Sequence, residues 1–196
     1  MTTYRPAELV DLPQIRAIGE YYILNTSLAS MEFPPPLQTY EAKWHELKDC
    51  ELPFLVAVRE ADTKGASEKP ETVLGYAYLS PFREHLLSYG PTVELSLFVH
   101  PDHQSCSVGS TLLKNLLDLV RSGKVSYRVK EDRHSACVNG DESKEVELHI
   151  VRNIVAIMAV DPEGEDGGEA LRRWYIQRGF EEQGRLKRLG FKRGHW

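Results

Sequence analysis

Hydrophobic and polar positions change period once, between Val93 and Leu113. Val93, Leu95, Leu97 and Val99 alternate with Glu94, Ser96 and Phe98, the two-residue repeat of a strand. From Ser110-Thr111 onward, Leu112, Leu113, Leu116, Leu117 and Val120 recur at helical spacing. His100-Pro101-Asp102 closes the strand, and Gln104-Ser105-Cys106-Ser107-Val108-Gly109 joins it to the helix. In such a turn, backbone amides and the helix dipole converge on one point, which suits a phosphate.

The flanking sequence predicts an α/β arrangement. Residues 2–6 read as a first strand, and Asp11 as the cap of a helix with Pro13 in its first turn and Ile15, Ile18 and Tyr22 on one face. Residues 25–36 form a loop ending in Pro34-Pro35-Pro36, after which Thr39 is expected to cap a second helix carrying Trp44 and Leu47. Phe54–Val58 and Val73–Leu79 are strands separated by a polar connection over 61–70, and a second loop spans 81–91. Residues 123–146 are charged and poor in large apolar side chains, which predicts a surface insertion, part hairpin and part disordered. Residues 150–160 are the most apolar run and read as a buried strand. A helix over 169–178 follows an acidic connector and stops at Gly179, leaving 186–196 for a last turn or strand. The order strand, two helices, antiparallel meander, strand-helix-strand crossover predicts one domain over 1–196, with a mixed central sheet flanked by helices.

Composition narrows the function classes. A formal net charge of -5 argues against a general nucleic-acid binder and requires any anion site to make its positive potential locally. No apolar run approaches the length of a membrane span, and the N-terminus has no leader-like pattern. Three unpatterned cysteines, Cys50, Cys106 and Cys137, suit a reducing compartment, so the cytoplasm is expected. His103/Cys106 and His134/Cys137 have metal-like spacing, but neither pair recurs in a four-ligand pattern, and no metal is expected.

The turn resembles the Gln-x-x-Gly-x-Gly pyrophosphate loop of the GNAT superfamily of N-acetyltransferases. The longer string of Glu94 to Val99, Pro101, His103-Gln104 and Gly109-Ser110-Thr111-Leu112 is similar to its phosphinothricin acetyltransferase branch. Two further blocks carry the same resemblance: Gly75-Tyr76-Ala77-Tyr78 with Pro81-Phe82-Arg83, and Gly179-Phe180, Gly184, Leu186, Gly190-Phe191-Lys192, Gly194 and Trp196. It implies the GNAT fold, with the polar insertion between the pyrophosphate-loop helix and the following strand. It also implies acetyl-CoA as co-substrate and direct acetyl transfer to the primary amine of a small molecule, an amino acid or phosphinothricin-like analogue. Alternatives are a peptide or polyamine acceptor, or an acyl-CoA-binding domain without turnover. In the branch another strand follows the last block, whereas this sequence ends at Trp196, which implies a lost edge strand whose apolar surface is covered by a second subunit, as in a homodimer, or by another segment.

The resemblance also assigns residues. Gln104, Ser105, Cys106, Ser107, Val108, Gly109 and Ser110 would hold the pyrophosphate, and the backbones of Leu97, Phe98 and Val99 the pantetheine arm. Glu94 matches the proposed base that takes a proton from the substrate ammonium. Tyr175 lies where many GNAT enzymes carry a tyrosine that protonates the departing thiolate, although the branch has histidine there. Arg83, His85 and Tyr89, with Phe33 from the first interhelix loop, would contact the acceptor. The loop departs from the branch at two places: Ser105 stands for an arginine and Ser107 for a glycine.

Overall fold

The alternating segments lie side by side because each has one apolar face to bury. The computed structural model describes residues 1–60, 71–83, 87–123, 125–129 and 147–194. β1 (Thr2–Pro6), β2 (Phe54–Glu60), β3 (Glu71–Pro81) and β4 (Thr92–Val99) pair antiparallel in that order. Two helices, α1 (Leu12–Asn25) and α2 (Leu37–Asp49), fill the connection between β1 and β2, and α3 (Val108–Arg121) follows β4. β5 (Ser126–Val129) and β6 (Glu147–Ile150) make a separate antiparallel ribbon. β7 (Asn153–Val155) then joins the outer edge of β4 in parallel, and α4 (Glu169–Ile176) is the last helix. The sheet is therefore mixed, with strand order β1-β2-β3-β4-β7.

The two faces of the sheet carry different helices. Phe98 packs against Tyr22 of α1 and Tyr76 of β3, so the even-numbered face of β4 lies beneath α1 and α2. Opposite, a Cβ on Gly109 of α3 would lie 3.2 Å from Val99 and 3.4 Å from Leu97. α3 therefore covers the odd-numbered face. Ile15 and Ile18 bury one side of the sheet, and Leu112, Leu113 and Leu116 the other. The helical spacing that predicted α1 and α3 is the spacing that fills these layers.

Several boundaries differ from expectation. Asp11 stands at the N-cap position of α1 but does not cap it with its side chain. Its carboxylate instead accepts two hydrogen bonds from Arg5, at 2.8 and 2.9 Å, and one from the Glu8 amide. α2 begins at Leu37 after an extended Pro36, two residues before Thr39; the fixed φ of proline pre-sets the helix entry. The connection over 61–70 and the inner part of the insertion, 130–146, lie outside the described residues. Of the expected insertion 123–146, only β5 (Ser126–Val129) and its immediate flanks are described, and β5 pairs with β6, which begins just beyond it.

The apolar run 150–160 is not one buried strand. Ile150 belongs to β6, β7 has three residues, and Ile157 is 64% exposed. Its register with β4 ends at Glu94↔Val155, and without a ladder on its other side the backbone has nothing further to pair with. No strand follows α4 among the described residues. No helix among them is long and apolar enough to cross a membrane.

Candidate active site

The end of the β4–β7 register opens a gap in the sheet. β4 continues for five residues past Glu94, to Val99, with β3 as its remaining partner. The His100 amide donates to Leu74 O at 2.8 Å, which fixes the alternation: even-numbered residues of β4 direct N–H and C=O to β3. Leu97 therefore turns both its backbone groups toward the gap. Phe98 spends its own on β3, and the Val99 carbonyl accepts a hydrogen bond from Tyr22 Oη at 2.7 Å. Of the three residues expected along a pantetheine arm, Leu97 alone offers both groups.

At the far end of that gap lies the turn into α3. Ser107 precedes the helix with φ 62°, and Ser105 has φ 60°, both in the left-handed region that disfavours L side chains. Ser105, Cys106 and Ser107 are exposed. No side chain caps α3, and its first ladder bond is Thr111 N to Ser107 O, at 3.0 Å. The amides of Val108, Gly109 and Ser110 precede that bond and are left without intrahelical acceptors. The Val108 side chain is buried, so it anchors the helix start while its amide stays at the mouth.

The Gln104 side chain is tied to the sheet through Tyr22. Its Nε2 donates to Tyr22 Oη at 2.9 Å, and that hydroxyl donates onward to Val99 O. The chain of bonds pins the turn to α1 and to the end of β4. Sequence reasoning missed Arg178. Its guanidinium donates to Ser110 Oγ at 2.7 Å and to Trp174 O at 2.8 Å, and stacks over the Trp174 ring at 4.0 Å.

Beneath α1 and α2, the even face carries aromatic rings ending in a carboxylate. Phe54, Tyr76, Tyr78 and Phe98 are in mutual ring contact, with Tyr76 and Tyr78 stacked at 6.4 Å. Glu94 shares this face with Ser96 and Phe98, and burial raises its carboxyl pKa, against an opposing pull from Lys43. The Tyr175 hydroxyl pKa is pushed up to about 12 by burial. Tyr175 packs between Trp174 and Phe180, and no hydrogen bond from its hydroxyl to another described residue occurs. It is a protonated group whose donor is free.

The acceptor residues are only partly gathered. Arg83 and Tyr89 both pack on Phe82, the guanidinium at 5.8 Å and the phenol ring at 5.5 Å. His85 lies outside the described residues. Phe33 is 81% exposed on the loop between α1 and α2. That loop is tied down elsewhere: buried Asp161, beyond β7, accepts the Ser27 amide at 3.3 Å. Lys192 Nζ donates to Ile23 O and Ala29 O at 2.7 and 2.6 Å.

Comparison with known proteins gives a consistent answer. Residues 19–137 match the profile of the acetyltransferase (GNAT) family. The phosphinothricin N-acetyltransferase of Alcaligenes faecalis is 27% identical over 186 residues, 95% of this chain and 73% of that protein. A GNAT superfamily phosphinothricin acetyltransferase from Sinorhizobium meliloti, solved in complex with acetyl-CoA, superposes with a TM-score of 0.70 at 25% identity. The match covers 100% of this chain and 83% of that one. The ribosomal-protein-alanine N-acetyltransferase of Brucella melitensis superposes at 0.69 with 26% identity, over 99% and 93% of the two chains.

Proposed function

The chain belongs to the acetyltransferase (GNAT) family, and we propose that it transfers acetyl from acetyl-CoA to the primary amine of a small molecule, an amino acid or phosphinothricin-like analogue. The observation that carries this reading is the placement of Glu94. It is a half-buried carboxylate at the last paired position before the sheet opens, on the same face as an aromatic floor. Tyrosine faces attract an ammonium group, and a carboxylate of raised pKa is a better proton acceptor than an ordinary surface glutamate.

Acetyl-CoA would supply the activated acyl group, held by the uncapped amides at Val108–Ser110 and by the open backbone of Leu97. Glu94 takes a proton from the incoming ammonium, leaving a neutral amine able to attack. The Leu97 amide turned to the gap is placed to stabilise negative charge developing on the acyl oxygen. Tyr175, un-ionised at working pH, returns a proton to the departing thiolate. Three unpatterned cysteines suit a reducing, cytoplasmic setting.

The test is a panel of acceptors with detection of released CoA thiol. Phosphinothricin and free amino acids are expected to turn over, with polyamines and alanine-terminated peptides slower. Turnover of the peptides alone would overturn the small-molecule assignment. It would favour the class of acceptor named for the Brucella melitensis relative.

A further inference from the structure

The described arginines divide by partner. Arg5, Arg172, Arg173, Arg185 and Arg193 each pair with a carboxylate. Arg178 pairs with none among the described residues, and its protein partners are Ser110 Oγ, Trp174 O and the Trp174 ring. Arg59, Arg83, Arg152 and Arg188 also have no carboxylate partner among the described residues, and what sets Arg178 apart is its location. Ser110 lies in the first turn of α3, at the positive end of the helix dipole, where a cation is disfavoured. Two of its five N–H donors are engaged, which leaves three for another acceptor. The C-terminal end of α4 and the Trp174 ring hold the guanidinium at that position, and beside three uncapped amides it adds positive charge to the mouth of the turn.

We propose that Arg178 binds the pyrophosphate of acetyl-CoA, adding to the amide cradle the charge that Ser105 does not carry. This rests on acetyl-CoA being the donor. Trp174 serves as its platform: the ring lies 3.8 Å from where a Cβ on Gly109 would stand, so stacking sets the guanidinium against the mouth of the turn.

The experiment compares the native protein with Arg178→Gln and Arg178→Lys, using acetyl-CoA, inorganic pyrophosphate and S-acetylpantetheine, which lacks the pyrophosphate. Arg178→Gln is expected to weaken acetyl-CoA binding in calorimetry about 10- to 100-fold, the range of a lost charge-assisted hydrogen bond. It should also abolish competition by pyrophosphate, while turnover of S-acetylpantetheine stays at the native rate. Arg178→Lys, which keeps a point charge, should retain most of the affinity and the pyrophosphate competition. Unchanged acetyl-CoA affinity in Arg178→Gln, or an equal loss with S-acetylpantetheine, would overturn the assignment, the second outcome making Arg178 a packing residue. If Arg178→Gln does not fold, Arg178→Met, which keeps an aliphatic stem on the Trp174 ring, takes its place, and retained pyrophosphate competition there overturns the assignment. Native protein that fails to bind acetyl-CoA at all would instead remove the donor, a distinct result visible before any substitution.

Discussion

Glu94 is held in a setting that costs the fold something. Burial raises its carboxyl pKa, so the folded state holds that proton more tightly than the unfolded chain. The stability linked to this group is complete below its unfolded pKa and is lost as pH rises through the folded value. Glu94→Gln should therefore lose about 10²–10⁴-fold in rate at neutral pH while unfolding at the same or a higher temperature than the native protein. The native kcat/KM should fall on the acid side with a midpoint above that of an ordinary glutamate, and the variant should lack that limb. Native-like rates across pH would remove Glu94 from the chemistry. Tyr175 is the complementary case. With a pKa of about 12 it stays protonated, and Tyr175→Phe keeps the ring contacts with Trp174 and Phe180. The expected outcome is a loss of roughly 10²-fold in kcat with unchanged acetyl-CoA affinity; an unchanged kcat would leave only the packing. Both residues were legible in the sequence because each sits on a periodic element at a motif position. Arg178 was not, because its partner Ser110 is 68 positions away and no local pattern reports that meeting.

At the scale of elements, the strand–turn–helix joint before α3 was legible, but the strain inside it was not. The sequence shows serine where the resembling branch has glycine, and the structure gives that serine a φ of 62°. The left-handed conformation costs an L residue about 1–2 kcal/mol, and glycine gives back about 0.4–1 kcal/mol through the greater freedom of the unfolded chain. Ser107→Gly should thus raise stability by no more than about 1.6 kcal/mol, read from denaturant midpoints, and tighten acetyl-CoA by clearing the mouth of the cradle. A less stable variant would mean that the Ser107 side chain contributes more than its backbone strain. The run 150–160 shows the opposite limit. Its hydrophobicity correctly placed a strand next to β4, but hydrophobicity reports burial and says nothing of where pairing stops. That boundary is set by the divergence after Glu94↔Val155, a property of two strands far apart in sequence, and the gap it leaves is the feature that the proposed chemistry depends on.

For the molecule as a whole, the loop proposed to meet the acceptor is held by segments from the opposite end of the chain. The loop between α1 and α2 follows Tyr22, whose hydroxyl already reaches β4, and its Ser27 amide is held by Asp161 from beyond β7. The C-terminal segment closes this arrangement. Lys192 donates to Ile23 O and Ala29 O across 169 and 163 positions, and Arg193 donates to Leu24 O at 2.9 Å. An ammonium at the C-terminal end of α1 meets the negative end of the helix dipole and two carbonyls at once. The block containing Lys192 could be recognised in the sequence as part of a resemblance, but its mechanical role could not, since the contact joins the last turns to the first helix. Lys192→Met keeps the aliphatic stem and removes the donor, leaving the Ile23 carbonyl of α1 and the Ala29 carbonyl of the loop without it. A loss of about 1–2 kcal/mol in unfolding free energy is expected, in the range of a charge-assisted hydrogen bond at a half-buried site. The kinetic signature should be selective: a rise of about 10-fold in KM for the amine, with acetyl-CoA affinity unchanged, because Lys192 bonds the end of α1 and the loop that carries Phe33, and among the described residues no hydrogen bond joins it to the start of α3. Equal losses for both substrates would show that the segment supports the fold generally. An unchanged KM for the amine would separate the loop from the acceptor site altogether.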